Sequence, residues 1–187
     1  AQADGTGAGD AIIVTARRRE ENLQDVPISI TAVSGEVLAQ RGVRDALDLQ
    51  YQTPSLSVTG TGPNKYNVAY AIRGQRSGEF QLLTDPAVGT YFAEVVVPRT
   101  YGFGTAFYDL QNIQVLKGVQ GTLFGRNMTG GAVLVEPNHP DVHEFHASGS
   151  AQYGNFDMVE LNGMVNVPLV PDVLAVRAAG TYRDRKG

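Results

Sequence analysis

Cysteine is absent from the chain, which excludes disulfide staples and thiolate metal sites without fixing a compartment. Charge is scarce as well: 18% of the 187 residues are Asp, Glu, Lys or Arg, where soluble domains carry roughly 25%. The net charge of −4 is too small to argue for nucleic acid or a basic membrane patch. No apolar run approaches the ~18 residues of a membrane helix, so a helical span is excluded while a β-barrel span is not. Glycine, by contrast, is plentiful at 22 residues, beside an ordinary 42% of hydrophobic residues. That balance suits sheets and turns better than helical bundles. The length allows one medium domain, or a small domain with a fragment of another. The opening Ala1-Gln2-Ala3 resembles the new end left by signal-peptide cleavage, which would place the protein beyond an inner membrane; a trimmed chain would look the same.

From residue 145 onward the chain alternates with a period of two, as strands do because successive side chains point to opposite faces. Phe145, Ala147, Gly149, Ala151 and Tyr153 share one face, with His146, Ser148, Ser150 and Gln152 on the other. Val159, Leu161, Gly163, Val165 and Val167 continue the apolar face, and Leu174, Val176, Ala178, Gly180 and Tyr182 complete it. Each segment reaches the roughly 9–11 residues of a transmembrane strand, longer than the ~5–6 usual in soluble sheets. The turns predicted between them are G-N-F-D (154–157) and P-L-V-P-D (168–172). Tyr153 and Tyr182 would then meet at one rim, where an aromatic girdle belongs. An antiparallel sheet with one face on a soluble core would alternate in the same way. In lipid, such strands could only begin a barrel, because an open edge is not tolerated there.

Residues 22–140 mix periods and predict a small α+β domain. Strands are expected at 26–33, 67–73, 88–97, 112–117 and 131–136, a helix from Ser34 to Gly42, and another turn or two over 44–49. Ser34 is placed to cap the helix, with Glu36 in its first turn and Gly42 just past its end. Before this domain stands D-A-I-I-V-T-A (10–16), a β-branched strand-former between a Gly-rich tail and Arg17-Arg18-Arg19. No hairpin partner is apparent beside it.

The middle of the chain carries a family resemblance. Q-N-I-Q-V-L-K-G-V-Q-G-T-L-F-G-R-N-M-T-G-G-A-V-L-V (111–135) resembles the plug-domain signature of TonB-dependent outer-membrane receptors. So do V-P-I-S-I-T-A-V-S-G-E-V-L (26–38), A-I-R-G-Q (71–75) and D-P-A-V-G-T-Y-F-A-E-V (85–95), while Y-G-N-F (153–156) and V-P-L (167–169) are similar to the first barrel strands. The resemblance implies an α+β plug domain followed by the first three antiparallel strands of a transmembrane β-barrel of about twenty-two strands. Divided accordingly, 1–9 is a flexible tail, 10–16 a TonB box, 17–25 a linker, 26–140 the plug and 145–187 the first barrel strands. The resemblance further implies no enzyme, catalytic group, metal or cofactor. It implies active uptake of a scarce ligand, a ferric siderophore or similar iron complex foremost, across the outer membrane of a Gram-negative bacterium. An outer-membrane receptor that signals without transport, or uptake of an oligosaccharide or cobalamin, are the alternatives.

Its partners would be outer-membrane lipid, the small-molecule ligand and TonB. The TonB-binding residues would be Asp10, Ala11, Ile12, Ile13, Val14, Thr15 and Ala16, since a strand completed by another protein's sheet needs main-chain pairing more than particular side chains. Arg73, Lys117 and Arg126 would contact the barrel wall. The family commonly has Arg where this chain has Lys117, and Lys lacks the bidentate fork. Aromatic-Gly loops at 59–66 and 98–108 would face the ligand through Tyr66, Arg99, Tyr101 and Phe103.

Two other patterns are weaker. The glycines of 117–131 match neither a dinucleotide fingerprint nor a Walker loop. His139, His143 and His146 cluster with Asp141 and Glu144, but Pro140 breaks the helix that would align them and the spacing misses the zincin motif. A solvated linker is the better reading.

Overall fold

The structure, a computed structural model, describes residues 13–14, 21–61, 64–76, 85–98, 104, 107–125 and 128–186. Two short strands, β1 (Ile13–Val14) and β2 (Glu21–Asn22), come first. β3 (Ile30–Ser34) leads into helix α1 (Gly35–Gln40), and β4 (Leu56–Thr61) pairs with β5 (Asn64–Ile72). Next come β6 (Val88–Phe92), β7 (Val95–Val97), β8 (Leu110–Lys117), the single turn α2 (Gly121–Phe124) and β9 (Gly131–Pro137). The chain ends in β10 (His146–Gly154), β11 (Met158–Val170) and β12 (Leu174–Asp184).

The helix forms where capping predicts it. Ser34 Oγ accepts the Val37 N–H at 3.4 Å. At the other end Gly42, with φ of 67°, lets its N–H reach Ala39 O while Val43 N–H reaches Leu38 O. Those two bonds satisfy carbonyls that the last turn would otherwise leave open. Over 44–49 the chain takes turns instead, with a 3-10 turn at Asp48–Tyr51, because short carboxylates compete for the backbone. The Asp48 carboxylate accepts the Arg44 N–H at 2.9 Å, and Asp45 accepts that of Leu47 at 2.9 Å.

A five-stranded sheet in the order β3-β8-β9-β6-β7 centres the mixed domain, with β6 and β9 parallel and the other neighbours antiparallel. Both of its faces are covered. Ile113, Val115, Val133 and Val135 pack with Leu38, Leu49 and the β4–β5 residues Val58, Val68 and Ile72. On the opposite face Leu116, Ala132, Leu134 and Tyr91 pack with Val14, Val26, Phe124 and Met128. The Tyr91 hydroxyl donates to Phe124 O at 2.7 Å, fixing α2 to the sheet. Gly35 and Gly131 are required by space: a Cβ on either would run into the carbonyl oxygen of Leu110 or Leu116.

Several expected boundaries shift, three of them with a clear local cause. The strand expected over 26–33 starts only at Ile30, after a 3-10 turn at Leu23–Asp25 and Pro27, which cannot donate to a ladder. The run 88–97 is a hairpin, because Ala93 and Glu94 adopt φ of 47° and 64° and turn the chain in two residues. Pro168 lies inside β11 rather than in the turn, tolerated at a register shift between Pro168 and Val170. The turn itself falls beyond Val170, with Asp172 at φ of 61°.

β10, β11 and β12 form a separate antiparallel meander. Its register puts Ala147 opposite Val165 and Val165 opposite Ala178, while Gly149, Gly163 and Gly180 align in a row. The predicted apolar face therefore exists as one surface. Tyr153 pairs with Val159 and Tyr182 with Leu161, so both tyrosines stand at one rim, 76% and 58% exposed.

Candidate functional site

The polar face of the meander is turned onto the mixed domain, and charged side chains join them. Arg177 on β12 donates to Asp109, just before β8, through Nε at 2.7 Å and Nη2 at 2.5 Å. Both side chains are largely covered, 14% and 12% exposed. Asn138 donates its side-chain amide to the same carboxylate at 2.9 Å. The guanidinium, and secondarily Asn138, hold the Asp109 carboxyl below its ordinary range against the opposing effect of burial. Close by, fully buried Asn166 clasps the connecting segment: it accepts the Asp141 N–H at 2.9 Å and donates to Asp141 O and Glu144 O at 2.9 and 2.8 Å.

A second contact lies farther along the strands. Arg44, in the loop after α1, reaches Glu160 on β11 at 3.3 Å and Gln152 on β10 at 3.4 Å. Glu160 also receives Arg183 of β12 at 3.2 Å. Beside this contact is a cleft of about 260 Å³, lined by Val43, Phe107 and Tyr108 on one side and by Ser150, Asn162 and Thr181 on the other. Thr181, Asn162 and Ser150 are themselves linked by hydrogen bonds of 2.6 and 3.2 Å across the strands. Sequence reasoning missed Arg44 and Asp109 as contacts. The signal was available on the other side: Glu160, Arg177 and Arg183 occupy strand positions facing away from the apolar surface, and such charges need partners.

Of the expected wall contacts, Arg73 and Lys117 are brought together. Arg73 occupies a tight turn at φ of 53°, closed by Gln75 N–H to Ile72 O at 2.9 Å, and its guanidinium lies over Gly118. Burial, and then the adjacent Arg73 charge, lower the affinity of Lys117 for its proton. No carboxylate among the described residues forms an ion pair with either cation. Arg126, Arg99, Tyr101 and Phe103 lie outside the described residues, as does the side chain of Tyr66 on β5.

The N-terminal segment corrects one expectation. Asp10, Ala11, Ile12, Thr15 and Ala16 lie outside the described residues, but Ile13 and Val14 do have a partner within the chain: they pair antiparallel with Asn22 and Glu21. Glu21 and Asn22 carry no strand propensity, and main-chain pairing does not require it. Val14 is fully buried against Val26, Leu116 and Phe124. Val14 is thus docked on the second face of the sheet.

The histidines contact carboxylates at the surface. His143 meets Asp172 at 2.9 Å and His146 meets Asp141 at 3.2 Å, tying the connecting segment to the meander. Among the described residues no group of three potential metal ligands converges, and no helix is long and apolar enough to cross a membrane.

Residues 22–132 match the family described as TonB-dependent Receptor Plug Domain. The chain is 28% identical over 201 aligned residues to the iron-regulated outer membrane virulence protein of Vibrio cholerae, an alignment that covers 97% of this chain and 29% of that protein. Among solved structures it resembles the ferric yersiniabactin uptake receptor of Yersinia pestis, with a TM-score of 0.68 and 25% identity over 82% of this chain and 24% of that one. The fold also matches the ferripyoverdine receptor of the outer membrane of Pseudomonas aeruginosa bound to ferripyoverdine, with a TM-score of 0.73 and 20% identity over 92% of this chain and 22% of the receptor. The chain spans less than a third of the length of these relatives.

Proposed function

The chain belongs to the TonB-dependent receptor plug family, and on that premise we propose that it forms the plug and opening wall strands of an outer-membrane transporter for a ferric siderophore or similar iron complex. The observation that carries this reading is the division of the meander: one continuous apolar face and one polar face fastened to the plug. A strand wall between lipid and a plugged lumen needs that division. The iron-regulated and siderophore receptors among its relatives support the ligand class.

In this reading the plug comprises residues 26–140 and the wall begins at 145, with the N-terminus on the periplasmic side. Arg73, Lys117 and Arg126 meet carboxylates on later wall strands, which accounts for two neighbouring cations without partners in the described chain. Tyr66, Arg99, Tyr101 and Phe103 face the ligand from loops on a rigid sheet. Residues 10–16 pair with TonB, and because Val14 is buried against the plug, that pairing requires β1 to leave β2. Ligand bound outside shifts the plug's populations, and a pull on the segment opens a path.

The test is uptake of ⁵⁵Fe from a panel of ferric siderophores by cells carrying the full-length protein. Val14→Pro, which removes a ladder N–H, should abolish energised uptake and leave surface binding intact, whereas Val14→Ala keeps the backbone donor and should retain uptake. Normal uptake with Val14→Pro would refute the assignment of 10–16. Recovery of the protein in the soluble fraction would refute the membrane reading itself.

A further inference from the structure

The two contacts between plug and wall are unequal in what it costs to break them. Asp109 and Arg177 share a bidentate pair, 12% and 14% exposed, and Asn138 donates its side-chain amide to the same carboxylate and its N–H to the Asp109 main-chain carbonyl. Parting them would leave the Arg177 guanidinium without a partner and the Asp109 carboxylate with Asn138 alone, both largely covered, which is the costly way to break an ion pair. Arg44 makes a one-point contact of 3.3 Å with Glu160 and a 3.4 Å hydrogen bond to Gln152, and is 39% exposed. When it leaves, Glu160 still has Arg183 at 3.2 Å, and the Arg44 guanidinium passes into water. Ion pairs of that kind are weak.

Their positions differ as well. The tight pair lies beside the covalent connection, where Asn166 opposite Arg177 grips the backbone at Asp141 and Glu144. Glu160 stands six residues away on the same strand, or about 20 Å at the usual rise of a strand. The cleft adjoins this looser contact, and Ser150, Asn162 and Thr181 on its wall side can hold water as the gap widens.

We infer that the plug is hinged to its first wall strands at Asp109–Arg177 and latched at Arg44–Glu160, so that the two part first along the cleft and swing about the connecting segment. The inference rests on reading this domain as a plug that moves against a wall. The geometry decides which side yields: release of Arg44 leaves Glu160 with Arg183, while release of Arg177 parts two largely covered charges from each other.

Spin-label distances in the purified full-length receptor, with any other cysteines replaced, test this. One label pair, Gln40→Cys with Ser150→Cys, spans the cleft; a second, His139→Cys with Val173→Cys, flanks the hinge. Adding Arg44→Ala should raise the longer-distance population across the cleft about fivefold, as expected for losing one exposed pair, with the hinge distances unchanged. Asp109→Asn should broaden both. Unchanged cleft distances with Arg44→Ala, or equal broadening at the hinge, would overturn the inference. Iron uptake by cells carrying the same variants judges the transport reading separately: no uptake with the distances behaving as expected would sink transport and leave the hinge standing.

Discussion

The five-stranded sheet of the plug and the three-stranded meander are built from the same element and solve opposite problems. β9 is buried from Gly131 to Glu136 on both faces. β10 is exposed at every position but its last. The plug covers each face with residues of its own, Leu38, Leu49 and the β4–β5 hairpin on one side and Val14, Val26 and Phe124 on the other. The meander covers only part of its polar face, around Glu160 and Asn166, and leaves a row of Val, Leu, Ala and Gly outward. A sheet whose strands read as continuous apolar runs is covered on both faces; one that strictly alternates has a single apolar face to cover, which in the proposed reading meets lipid.

The comparison breaks if equivalent changes cost the same in both sheets. Ile113→Ala removes a fully buried side chain from the plug and should destabilise it by about 2–5 kcal/mol. Val176→Ala, at a position half exposed on the meander, should cost less than about 1 kcal/mol. Urea unfolding of the full-length receptor measures both. A smaller but more pointed effect separates the meander's two faces. Val165→Arg places a cation on the lipid side and should cost about 2–4 kcal/mol in folding into phospholipid vesicles. Ser148→Arg, on the opposite face, should cost under about 1 kcal/mol, and equal costs would mean that the apolar face does not meet lipid.

The join between the sheets gives the smallest effect. Asp109→Asn should lose about 2 kcal/mol at pH 7, since it weakens a charged pair that is largely buried. The Asp109 carboxyl is held below 3.8 by Arg177. Its contribution is therefore complete above the unfolded value and fades as pH falls through the lowered folded one. Melting curves of wild type and variant should converge as pH drops below about 4; a constant gap would mean that the ion pair is not the source.

Much of this was legible along the chain. Ser34 and Gly42 marked both ends of α1, and the alternation after residue 145 assigned the meander's faces before any register was known. Elsewhere local rules competed. Ala93 and Glu94 turn the chain without the Asn-Gly or Asp-Gly that usually announces a two-residue turn, so β6 and β7 read as one strand. The carboxylates of Asp45 and Asp48 captured nearby N–H groups and held 44–49 in turns.

The sequence by itself determined what has a period or a fixed local geometry: strand faces and caps. Only the tertiary structure decided the partners. Arg177 finds Asp109 from 68 residues away, and nothing near either residue marks the other, because any carboxylate can receive any guanidinium. The same holds for Ile13 and Val14, whose β-branched run called for a strand without saying whose. A backbone ladder reads no side chains, so its partner is whichever strand the fold brings within reach, Glu21–Asn22 in this structure and TonB in the proposed cycle.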